Sequence, residues 1–170
     1  MVLLFSGRNN PTEKEIIEIL CSQGGDYISD KTIRHEKGLF TVISEYKKTE
    51  LKIKNGIALI LDDTERFNGQ IFPQGILGIC EDTNTTAKKL FEKSNISVIS
   101  CGMNQKNTVT FSSLNQDYLL VALQRTVTDT NGKDIEPGEY KIRLKKAYQP
   151  FSVMASAAVL LLCGIIPWEF

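Results

Sequence analysis

The stretch 147–168, AYQPFSVMASAAVLLLCGIIPW, carries no charged side chain. An uncharged run of that length has two stable homes. One is a bilayer; the other is the interior of a layered domain that covers it on every side. A spanning helix needs about 20 apolar residues. Here Pro150 suits the first helical turn, Gly164 suits the position just past the last, and Pro167 forbids continuation. That leaves a helix of about 13 residues, near 20 Å long, with no Lys or Arg cluster to anchor it in lipid. The run is read as a fully buried helix in an α/β core, and no membrane partner is expected.

The rest of the chain supplies the layers such a helix needs. "VLLF" reads as a buried strand. Asn9, Asn10, Pro11 and Thr12 form a turn, and "PTEKEIIEIL" is helical, with Thr12 as the expected cap and Ile16, Ile17, Ile19 and Leu20 on the inner face. "GLFTVISEY" and "GIALILDD" are apolar strands, and "ELKIKNG" alternates as a half-exposed strand does. "DDTERFNGQIFPQG" is a loop by its Gly, Pro and Asn content. "GILGICED", "NTTAKKLFEKSN" and "ISVISCGM" make a strand, an amphipathic helix (Ala87, Leu90 and Phe91 inward) and a strand. That is a right-handed βαβ unit with parallel strands. After Gly102 the pattern changes to "NTVTFSSL", "DYLLVALQRTVTD" and "EYKIRL", with Asn-Gly and Pro-Gly turn signals between the last two. The expected fold is α/β: a Rossmann-like three-layer sheet, with parallel N-terminal strands and an antiparallel meander toward the C-terminus, in one domain over residues 1–170.

Composition narrows the function. Formal net charge is zero and aromatic residues make up 8%, so neither a basic face nor a base-stacking surface is expected, and no nucleic-acid partner. The four cysteines, Cys21, Cys80, Cys101 and Cys163, form no CxxC pair. A zinc site is not expected; free thiols of a reducing cytoplasm are. The N-terminal residues have no basic region followed by a cleavable apolar stretch of signal length.

Several runs together resemble the central domain of the Mur ligase family, the ATP-dependent peptide ligases of cell-wall synthesis and their folylpolyglutamate relatives. They are "GICEDTNTTAKKL", "VISCGMNQKNTVTFSS" and "YQPFSVMASAAVLLLCGI", within residues 75–166. The resemblance implies a nucleotide fold, and a phosphate loop of the form GTNGKTT at the first strand–helix turn. Gly7, Asn9 and Thr12 fall on matching positions. The second Gly is replaced by Asn10 and the Lys by Pro11. A phosphate loop cradles its anion with backbone N–H groups and a Lys ammonium; Pro11 offers neither. The turn is a worn relic or a coincidence, and a degenerate one either way. The family's His and Asn residues at the start of the last helix are replaced by Tyr148, Gln149 and Ser152. Nor does a chain of 170 residues have room for the family's flanking domains. The resemblance therefore implies a stand-alone, non-catalytic binding or scaffolding module, with no cofactor, no catalytic residue and no ATP-dependent ligase activity.

The alternative is a small-molecule or nucleotide-binding enzyme that uses the carboxyl ends of the strands, where ligands of open α/β sheets gather. Its residues would be Asp63, Asp82, Asn84, Gly102 and Lys106, beside Gly7, Asn9 and Thr12. Asp62 and Asp63 end one strand and Glu81 and Asp82 another, so the acids suit a divalent cation or a ribose hydroxyl. Against this, Asp82 or Thr83 suits a helix cap, and "SCGMNQKNT" reads as a plain turn. Cys101 lacks a positioned base, since the lone His35 lies in a polar run. Ser112 and Ser113 lack a nucleophile elbow. Arg125 is read as a mid-strand residue paired with an acid. Lys141, Arg143 and Lys145 form a solvated strand face. "IIPWEF" is an apolar segment whose Trp168 and Phe170 suit burial against a second copy.

Overall fold

The computed structural model describes residues 1–7, 10–45, 52–62, 71–114 and 118–170. The chain forms β1 (Val2–Phe5), α1 (Pro11–Ser22), β2 (Gly25–Ile28), β3 (Ile33–Arg34), β4 (Phe40–Glu45) and β5 (Gly56–Ile60). Then come β6 (Ile76–Glu81), α2 (Thr85–Lys93), β7 (Ser97–Cys101), β8 (Val109–Leu114) and β9 (Tyr118–Leu123). The last elements are β10 (Val127–Thr128), β11 (Asp134–Ile135), β12 (Gly138–Arg143) and α3 (Pro150–Leu162). Ten strands make one mixed sheet in the order β12-β9-β8-β7-β6-β5-β1-β4-β2-β3, and β10 and β11 pair as a separate hairpin. The run from β2 and β4 through β1, β5, β6 and β7 to β8 is parallel. β8, β9 and β12 form the antiparallel meander.

Alternation along the strands creates two cores. Val2, Leu4, Ile57, Leu59, Ile79 and Ile99 face α1 and α3. Leu3, Phe5, Ala58, Ile60, Ile76 and Cys80 face α2, with Phe72 between Phe5 and Phe91. The sheet is thus the middle of three layers. Every residue of α3 from Phe151 to Leu162 is buried, which accounts for the missing charges. The helix ends in a Schellman motif. Gly164 takes φ +76°, Gly164 N–H donates to the Leu161 carbonyl at 2.9 Å and Ile165 N–H to Leu160 at 2.8 Å. Thr130, in the β10–β11 hairpin, donates both its N–H and its hydroxyl to the free Leu162 carbonyl, each at 3.0 Å. No helix among the described residues is long and apolar enough to cross a membrane.

Several local expectations are corrected. Asn10, not Thr12, caps α1, its Oδ1 accepting from Thr12 N–H at 2.9 Å; Pro11 then sits at the first helical position, where a missing N–H does no harm. Asn84, not Asp82 or Thr83, caps α2, accepting from Ala87 N–H at 2.8 Å. Residues 52–55 are not strand, and β5 begins at Gly56. β2 and β3 lack a strand signature in the sequence because both are short, β2 is only partly buried and β3 is exposed. Arg125 lies past the end of β9, exposed, and donates to the Lys106 carbonyl at 2.6 Å rather than to an acid. Phe170 is 2% exposed within this same chain. Its N–H donates to Arg143 and its carbonyl accepts from Lys145, so residues 168–170 lie along the outer edge of β12. Trp168 stays exposed.

Candidate functional site

The chain leaves β1 through α1 to β2 and β4 on one side, then crosses to β5, β6 and β7 on the other. The topological switch point, where open α/β sheets take ligands, therefore lies between β1 and β5. The strand registers pair Phe5 with Ile60, Ile60 with Cys80, and Glu81 with Cys101. Continued one or two residues, they bring Gly7, Asp62, Asp82 and Gly102 into a single row along the carboxyl edge. Gly7, Asp82 and Gly102 were expected here from the sequence. Asp62, which the sequence offers only as half of an acid pair, joins them in the row. Asn9 and Asp63 lie outside the described residues.

Two groups that flank the β1–α1 connection, Gly7 and Asn10, are both bonded to Asp62. Gly7 N–H donates to one oxygen of Asp62, and the Asn10 side-chain amide donates to the other at 2.6 Å. A Cβ at position 7 would stand 2.6 Å from Asp62 Oδ2, so glycine is what lets the carboxylate approach. The Gly7 N–H thus donates to a carboxylate carried two residues past the end of β5. Around it the helix ends are tied together. Thr12 Oγ1 meets Gln149 Oε1 at 2.8 Å, and Gln149 N–H donates to Glu15 at 2.9 Å, joining the starts of α1 and α3.

The second half of the row is closed in the same manner. Asn107 Nδ2 donates to Asp82 Oδ2 at 2.8 Å, and the Asp82 carbonyl accepts from Lys88 Nζ at 2.6 Å. Gly102 permits this packing, since a Cβ there would fall 2.6 Å from both Asn107 Nδ2 and Asp82 Oδ2. Asn84 is buried; its Oδ1 caps α2 while its Nδ2 has no partner among the described residues. Lys106 is exposed, and its N–H donates to Asn104 Oδ1 at 2.9 Å. Among the described residues no three His, Cys, Asp or Glu side chains are grouped closely enough to hold a metal.

The thiols are set for packing. Burial raises Cys80 to about 11 and pushes fully buried Cys101 well above its ordinary value. His35, out on its loop, contacts Asp26 at 3.0 Å.

No family model matches the sequence, and no curated protein matches it. Among solved structures, the chain is similar to UDP-N-acetylmuramate:L-alanyl-gamma-D-glutamyl-meso-diaminopimelate ligase from Neisseria meningitides, at TM-score 0.55 and 12% identity. The match covers 98% of this chain and 62% of the ligase. The likeness is one of fold. It agrees with the Mur-ligase-like α/β architecture expected from the sequence, and at this identity it speaks to architecture alone.

Proposed function

We propose that this chain is a Mur-ligase-like domain that acts as a non-catalytic binding or scaffolding module, its phosphate loop no longer able to hold a nucleotide. The observation that carries the reading is the Asp62 carboxylate on the N–H of Gly7 and the amide of Asn10. A phosphate entering that turn would meet a fixed negative charge where the family offers a Lys ammonium. Like charges brought into contact repel, and a part-buried carboxylate keeps a share of that repulsion after solvent screening. Pro11, with neither N–H nor charge, supplies nothing to offset this.

The pairing of Asp82 with Asn107 and the cap made by Asn84 Oδ1 support the same reading over an enzyme working at the strand ends, because those oxygens already have structural tasks. The module is proposed to act in the cytoplasm, beside cell-wall metabolism by ancestry, a link that rests on fold analogy. Calorimetric titration with Mg-ATP, Mg-ADP and UDP-linked sugars tests the reading. No heat from any of them, with the protein shown folded, is expected. Saturable micromolar binding of ATP would overturn it.

A further inference from the structure

Away from the row at the switch point, β8 starts at the carboxyl edge of the parallel sheet, where Cys101 pairs with Val109, and runs on past it. Between this overhang and the start of α3 lies a cleft of about 270 Å³. Its deepest lining is Leu119 and Val153, both buried, and Phe111, Leu144 and Tyr148 are half-buried walls. Ser112, Ser113 and Met103 stand exposed at its rim.

The cleft lies against a local irregularity. Phe111 pairs with Val121 but Ser113 pairs with Leu120, so Ser112 is an extra residue in β8. In a regular strand, consecutive side chains point to opposite faces. Here Phe111, Ser112 and Ser113 all line one cleft, which a bulge permits. The result is an apolar interior with hydroxyls at its rim, the usual composition of a small-molecule site.

Size and charge define what fits. An apolar cavity of about 150 Å³ takes benzene, so this one has room for two fused rings. Neither a Lys nor an Arg is among the described residues that line the cleft, so its walls offer no counter-charge to an acidic group. We propose that the cleft binds a neutral bicyclic or similarly sized apolar ring compound bearing one hydrogen-bonding group, its rings on Leu119 and Val153 and its polar group toward Ser113 and Tyr148. The site is separate from the turn at Gly7, and the proposal holds whether or not that turn takes a nucleotide.

The probe is 2-naphthol, titrated into the full chain carrying 13C-methyl methionine. Met103 reports the rim, while Met154, buried in α3, and Met1 report elsewhere. The Met103 methyl signal is expected to shift saturably, with half-saturation on the order of 0.1–1 mM for a ligand of this size, and Met1 to stay fixed. Ser112→Trp, at an exposed position, fills the cleft and is expected to abolish the shift. Tyr148→Phe with Ser113→Ala is expected to weaken binding about three- to tenfold through the lost hydrogen bonds. No shift in the unmodified chain, or a shift that survives Ser112→Trp, would overturn the site. Unchanged affinity in the double variant would overturn the assigned polar contact.

Discussion

Replacing Asp62 with Ala removes the acceptor of both the Gly7 N–H and the Asn10 amide. A hydrogen bond to a charged group contributes about 1.5–3 kcal/mol when well buried. Both bonds here are part-buried, so a total of about 2–3 kcal/mol is the reasoned figure, taken at the low end for solvent screening. For a chain of this length each kcal/mol moves Tm by about 2–4 °C, which gives a fall of about 4–12 °C. Asp62→Asn keeps one oxygen and should lose about half as much. Urea titration of Asp62→Ala, Asn10→Ala and the double variant isolates the Asn10–Asp62 bond from the cap that Asn10 also makes, and a coupling of about 1 kcal/mol is expected. A loss below about 0.5 kcal/mol with no coupling is the range of an ordinary surface change. That result would refute the carboxylate as the turn's resident anion, and the phosphate-exclusion reasoning would go with it.

Phe170→Ala should destabilise the chain by about 3 kcal/mol as a buried aromatic truncation, while Trp168→Ala, 65% exposed, should stay within about 0.5 kcal/mol; chemical denaturation of the two side by side checks this. The Glu36 N–H first, and then the His35 side chain, hold the Asp26 carboxyl below the ordinary aspartate value. A depressed folded pKa contributes stability that is whole above the unfolded value and is lost as pH falls through the folded one. Thermal melts of Asp26→Asn from about pH 5 to pH 2 should therefore show a shallower acid limb than the unmodified chain, with the two curves converging at the acid end.

What was legible from the residues follows their physical range. α3 is announced by the uncharged stretch from Phe151 to Leu162, every residue of which is buried, because a helix enclosed on all sides has no place for an unpaired charge. The β6–α2–β7 unit is announced by a change of period, with Ala87, Leu90 and Phe91 buried as the spacing requires. β2 was not legible, because Gly25–Ile28 carries Asp26 and buries little. Thr12 looked as good a cap as Asn10, since both are cap formers within two positions and only the backbone at Asn10 (φ −67°, ψ 121°) separates them. The bulge at Ser112 leaves no mark in "TFSSL".

The sequence by itself determined that the chain builds helices against an apolar sheet, and that the turn after the first strand leads into Pro11, which brings neither an N–H nor a charge. Those are properties of neighbouring residues, written in period, charge and backbone chemistry. Only the tertiary structure decided what sits in the turn. Gly7 and Asp62 are 55 residues apart and meet because β1 and β5 are adjacent in parallel register. Strand order is an outcome of the whole sheet's packing rather than of any local stretch. It turned an acid read as a possible cation ligand into the anion that fills the loop.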